Sequence, residues 1–260
     1  MNRTQSTLFI AVVMTLSLGF NSCKKEESKS SSSLPDFSAC KPTKIITSSG
    51  EIRFSYNADG KLSKYEGFDV GGSTPLDGYY YTYSGNKVDY TNKSGREKGT
   101  YTLNSSGNAT SLDVTYYNSQ DPTQATSTTS ESYKYNADGN LVERVVRYAS
   151  ASGQSVYTYS YIWADGNQVI ETMVSNSGST SSTTNEYYTD KSNSLNFTSQ
   201  VMEFTGKGSK NLIKLSKETG NGALISKYSY EFDSSGRVKK VIMEDETGET
   251  DTTELEMTCP

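Results

Sequence analysis

Aromatic and polar residues alternate in three runs, each leading into a turn signal. Tyr79, Tyr81 and Tyr83, then Tyr157, Tyr159, Tyr161 and Trp163, then Tyr228, Tyr230 and Phe232 each fall on one face of an extended strand. Tyr80, Thr82, Thr158, Ser160, Ser229 and Glu231 take the opposite face. The pattern predicts strands with one packed face and one wet face. No window carries the apolar stripe of period 3.6 that a long helix needs.

The turns between these runs follow one rule. Tyr135-Asn136-Ala137-Asp138-Gly139-Asn140-Leu141 recurs almost unchanged as Tyr56-Asn57-Ala58-Asp59-Gly60-Lys61-Leu62. Asn or Asp opens a type I turn, and Gly at the fourth position accepts the left-handed conformation that closes a bulged hairpin. Asn57–Gly60, Asn104–Gly107, Asn136–Gly139 and Asp233–Gly236 fit, and Asp190–Asn193 fits with Asn in the glycine slot. Trp163–Gly166 departs at its first position, and Tyr83–Asn86 is a shortened form.

Placing strands between these signals predicts an all-β, antiparallel up-and-down meander of about 14 to 16 strands, one of them at 195–204. Residues 206–222 would reverse the parity as a spanning strand, so a crossing loop or short helical turn is expected there. With an even count, the first strand starts and the last ends on the rim that holds the recognised turns. The chain ends then meet only if the sheet curls into a closed or nearly closed barrel. Cys40 and Cys259 flank everything that looks folded. Outside the cytoplasm two thiols so placed read as a disulfide, with two free thiols as the alternative.

The chain divides at its N-terminal side. Arg3, an apolar run from Leu8 to Phe20 and then Asn21-Ser22-Cys23 give residues 1–22 the layout of a secretory signal with too short a span for a membrane helix. This stretch resembles a bacterial lipoprotein signal. The resemblance implies acylation of Cys23 and anchoring to a membrane through lipid; a cleaved secretory peptide with a spare cysteine is the alternative. Lys24-Lys25-Glu26-Glu27 resembles the export signal that sends Bacteroidetes-type lipoproteins to the cell exterior. That implies a lipid-anchored outer-membrane protein at the cell surface, with the periplasmic face as the other address. Ser28–Leu34 is Ser-rich, so residues 23–39 read as an anchor and tether ahead of one domain, 40–260.

Removing residues 1–22, which hold one Arg and no acid, takes the net charge from −5 to −6. No basic stripe is present to attract nucleic acid. The mean hydropathy of −0.66 would allow disorder, but 20 Tyr and 8 Phe suit packed sheets.

The Tyr-x-Tyr-(Asn/Asp)-x-x-Gly-x-(Leu/Val) units at 133–141 and 54–62, the latter with Phe54 first, and a looser copy at Tyr230–Val238 are similar to the tyrosine-aspartate repeats of Rhs-type proteins. The whole layout resembles uncharacterised Bacteroidetes lipoproteins of porin-like fold. It implies a shape and no chemistry. The strand faces opposite the aromatics carry Ser, Thr, Lys and Glu, so a porin-like shape without membrane embedding is expected.

Catalysis has little to draw on. The chain has no His, which removes the usual general base and zinc ligand, and Asp59, Asp138, Asp165 and Asp233 serve turns. No enzyme, cofactor or metal site is predicted. Two roles remain. One is a non-catalytic binding module whose ligand, a glycan, stacks on Tyr157, Tyr159, Tyr161 and Trp163 if these are exposed. The other is an envelope component that binds protein through surfaces such as Asn118–Ser130. Coplanar exposed rings in a groove favour the first; rings that all face inward favour the second.

Overall fold

A computed structural model describes residues 40–195, 202–219 and 224–259. Cys23 and the tether lie outside the described residues. Sixteen strands form one closed antiparallel barrel in which every strand finds both neighbours within the described chain. They are β1 (Lys41–Thr47), β2 (Gly50–Tyr56), β3 (Leu62–Phe68), β4 (Asp77–Ser84), β5 (Lys87–Asn92), β6 (Glu97–Leu103), β7 (Ala109–Tyr117) and β8 (Ala125–Tyr135). The second half comprises β9 (Leu141–Ser150), β10 (Gly153–Ala164), β11 (Asn167–Ser175), β12 (Thr180–Ser192), β13 (Asn211–Thr219), β14 (Leu224–Phe232), β15 (Val238–Glu244) and β16 (Thr250–Thr258). The β1–β16 ladder closes the ring, with Ile45 opposite Leu255. Beside it Cys40 and Cys259 form a disulfide whose Cα atoms lie 4.2 Å apart.

The turns behave as their residues require. Asn57 Oδ1 accepts the N–H groups of Asp59 and Lys61, and Gly60, at φ 75°, donates to Asn57 O. Asn104, Asn136 and Asp233 repeat the arrangement with Gly107, Gly139 and Gly236. Asp165 and Gly166, both at positive φ, make the two-residue hairpin between β10 and β11. Asn92–Gly95 and Asp245–Gly248 use the same bulged turn on the opposite rim, so the motif marks a bend and not a side of the barrel.

Two sequence expectations need correction. Asp190–Ser192 continue β12, and no hairpin forms at Asp190–Asn193. The wall strand after β12 is β13 at 211–219, inside the stretch expected to be a crossing loop, while Glu203–Thr205 form a single 3-10 turn. The physical reason lies in the lumen. Leu195 and Phe204 are almost fully buried in the same core as Leu212 of β13, so these two apolar residues fill the barrel instead of building its wall. Val238 N donates to Ser194 Oγ, Gln168 N to Ser209 Oγ, Lys210 N to Gly166 O, and Lys207 Nζ to Asp138 O. These bonds reach β15, β11 and the β8–β9 and β10–β11 turns, laying residues 193–195 and 202–210 across the rim of recognised turns as a plug; of the strand expected at 195–204, residues 196–201 lie outside the described residues.

A barrel of this strand number is wide enough to leave a channel unless something fills it. Here an aromatic ladder does so on one side. Phe54, Tyr65, Tyr79, Tyr81, Tyr90 and Tyr101 follow one another at ring separations of 5.1–6.3 Å, and Tyr101 meets Phe204 of the plug at 4.6 Å. Gly99 makes room for this ladder, because a Cβ there would collide with the Tyr90 ring. Gly99→Ala is therefore expected to cost about 1–3 kcal/mol through overpacking, read as a lower urea midpoint at unchanged slope. A neutral result would show that the Tyr90 ring moves aside freely.

Candidate functional site

Neighbouring residues in register share a face, which fixes what the lumen sees. Tyr161 pairs with Glu171, Tyr159 with Arg144, and Arg144 with Tyr133, so β8–β11 turn one inner row toward the interior. All four sequence candidates, Tyr157, Tyr159, Tyr161 and Trp163, stand on that row. They form no outer platform. Tyr161 is buried, and Trp163 Nε1 donates to Leu141 O at 2.7 Å. Nearer the rim opposite the plug the same face opens. Tyr148, in register with Ser155 and Thr129, is 40% exposed.

Charges sit among these rings. Glu131, 8% exposed, accepts Arg144 Nε at 2.6 Å and Nη2 at 2.7 Å, and the Tyr133 hydroxyl at 2.6 Å. The Arg144 guanidinium also lies 5.5 Å from the centre of the Tyr159 ring. Glu97 accepts the hydroxyls of Tyr79 at 3.0 Å and Tyr90 at 3.1 Å. Burial holds the Glu97 and Glu171 carboxyls above their usual range and raises the phenols of Tyr159 and Tyr161. Tyr187, which receives the Ser209 hydroxyl, is pushed up to about 12 by burial.

The raised carboxyls have a consequence for stability. A folded carboxyl whose pKa exceeds its unfolded value binds more protons folded than unfolded, so its contribution declines as pH rises through the folded pKa. Glu171→Gln should therefore reduce the loss of melting temperature as pH rises above the ordinary carboxylate range. An unchanged pH slope would mean that Glu171 is as well solvated folded as unfolded.

Sequence reasoning missed Glu97, Glu131, Arg144 and Glu171. The signal was available, since Asp77, Glu97 and Glu131 each precede an inward tyrosine or glycine by two residues, and a period of two puts them on the same face. Among the described residues no group of His, Cys, Asp and Glu is arranged to hold a metal ion.

The outer wall is of another character. Lys44 pairs with Glu256, Lys134 with Glu143, and Lys227 with Glu244. Its exposed apolar residues are scattered: Ile162 stands opposite Ile170 and Val174 opposite Thr158, with the Ser160–Thr172 pair between them. No continuous apolar band of the kind a lipid-facing barrel carries is present among the described residues.

Fold and site together define a closed β-barrel with a plugged, tyrosine-rich lumen and a hydrophilic outside. No family model matches the chain, and no curated protein does. Among solved structures it is similar to a porin-like protein from Bacteroides uniformis, with a TM-score of 0.62 and 16% identity over 84% of this chain and 96% of that one. A porin-like protein from Bacteroides vulgatus matches with a TM-score of 0.58 and 14% identity, over 83% of this chain and 98% of that one. At such identity the likeness shows a shared porin-like fold.

Proposed function

We propose that this chain is a lipid-anchored envelope protein, displayed at the cell surface, whose barrel stands in water and acts as a non-catalytic binding module with its site in the lumen. The observation that carries the reading is the inner row of β8–β11, where Tyr157, Tyr159 and Tyr161 meet Arg144 and Glu171 on a face open to solvent at one rim. Rings backed by carboxylates and a guanidinium suit a polar ligand with an apolar face, and a glycan is the candidate class. The paired charges of the outer wall support a barrel surrounded by water. Plugging of one rim supports a cup over a pore.

The inward direction of the β10 rings favours a second reading, an envelope component that binds protein through outer loops such as Asn118–Ser130 and holds no small ligand. Glycan-array binding by residues 28–260 separates the two. Binding that is lost in Tyr157→Ala supports the lumen site, and silence across the array favours the protein-binding role. Protease shaving of whole cells tests the surface address, because a protected protein would face the periplasm.

A further inference from the structure

Charge is distributed unevenly between the two faces of the barrel. Asp77, Glu97, Glu131, Glu171, Glu218 and Asp251 occupy inward register positions: Asp77 opposite Gly67, Glu97 opposite Tyr116, Glu131 opposite Leu112, and Asp251 opposite Met243. Glu171 and Glu218 both face Thr183 in register, from the two strands beside it. Arg144, a cation that the register sets among them, is held by Glu131. On the outer wall, by contrast, acids and bases are interspersed and paired.

A second observation lies beneath Glu171. Gln168, 2% exposed and in register with Trp163, sits on the same inner face toward the plug. Its side chain lies near enough to Glu171 to favour the charged carboxylate, and its buried Oε1 has no partner. A buried acceptor without a donor is costly, and a ligand N–H would remove that cost. Acceptors, carboxylates and π faces in one place suit an ammonium group. The carboxylates are spread along the lumen and not gathered round one point, which fits several charges on a chain better than a metal ion. Glu171 and Glu218 are two strand spacings apart, about 10 Å between their Cα atoms.

We infer that the lumen receives a flexible ligand carrying protonated primary amines, with one ammonium group between Glu171, Glu218 and Gln168 and against the ring of Tyr161. This rests on the lumen-binding reading and names its ligand class. A free polyamine and a glycan bearing unacetylated amino groups present the same chemistry.

Titration calorimetry on residues 28–260 tests it with spermidine, a glucosamine tetramer and the N-acetylglucosamine tetramer as probes, Trp163 fluorescence giving a second readout. The amine probes are expected to bind, the N-acetylated tetramer to bind at least about tenfold more weakly, and Glu171→Gln with Glu218→Gln to weaken the amines by about tenfold or more. Glu254→Gln on the outer wall should change nothing, and near-ultraviolet circular dichroism checks that each variant is folded. Spermidine binding alone assigns a free polyamine, and glucosamine tetramer binding alone an amino glycan. Equal binding of both tetramers, or amine affinity indifferent to the lumen variants, would overturn the inference while leaving a lumen-binding module standing. Silence with every probe would overturn the inference, and silence across the glycan array as well would overturn the lumen-binding reading.

Discussion

Cys259→Ser is expected to lower the melting temperature of the barrel by about 10–20 °C while leaving a folded β protein. The disulfide closes a loop with a sequence separation of 219 residues. On the chain-entropy model a loop of that length is worth about 5 kcal/mol, an upper figure. For a domain of this size each kcal/mol shifts the midpoint by about 2–4 °C. The fold should survive because the β1–β16 ladder and its Ile45–Leu255 contact close the ring without the sulfurs. Arg237, which donates to Cys259 Sγ at 3.1 Å and pairs with Asp233, keeps the strand end near its partner. Thermal melts of the oxidised chain, the reduced chain and the Cys259→Ser variant, with far-ultraviolet dichroism alongside, measure this. Identical midpoints would mean that the ladder alone holds the ends together in the unfolded ensemble as well as the folded one.

The same closure shows how far local rules reach in this chain. Asn57, Asn104, Asn136 and Asp233 announce their turns because a short side-chain acceptor and a glycine at positive φ are local requirements that any context must meet. The strand faces are equally legible. Tyr79, Tyr81 and Tyr83 share the core side because pleating allows nothing else. Parity then brings Cys40 to Cys259 with no knowledge of side-chain contacts.

What local rules do not reach is the difference between a wall and its filling. Phe204 and Leu195 are as apolar as any wall residue, and their burial in the lumen depends on how much space the closed ring encloses, a property of the whole barrel. For the same reason Leu212 was read as part of a crossing segment when it is the buried second residue of β13. The candidate site divides along this line as well. The β10 aromatics were identified from alternation, yet their direction reverses their meaning, since inward rings bind nothing at an outer surface. The charges that accompany them lay at predictable inward positions, but a carboxylate beside an aromatic row is read as surface until the lumen is known to have room and water for it.

Arg144→Ala should be among the most destabilising single substitutions in the barrel, at about 3–5 kcal/mol, because it strands Glu131 as a buried carboxylate with only the Tyr133 hydroxyl left to it. The cost would come from the widowed charge more than from the lost attraction. Replacing both partners, Glu131→Leu with Arg144→Met, should therefore recover most of the loss, since burying two ions is itself expensive and Tyr133, Tyr161 and Leu112 offer an apolar setting. Glu131→Gln in the Arg144→Ala background separates charge from shape, and should be the milder lesion if charge dominates. Urea unfolding of the unsubstituted chain, Arg144→Ala, Glu131→Gln and the double variant of these two gives the coupling directly. It also reports on the cup itself. If Arg144→Ala costs less than about 1 kcal/mol, water reaches Glu131 from the open rim; a cost near the top of the range means that Glu131 stays desolvated on its own side of the lumen.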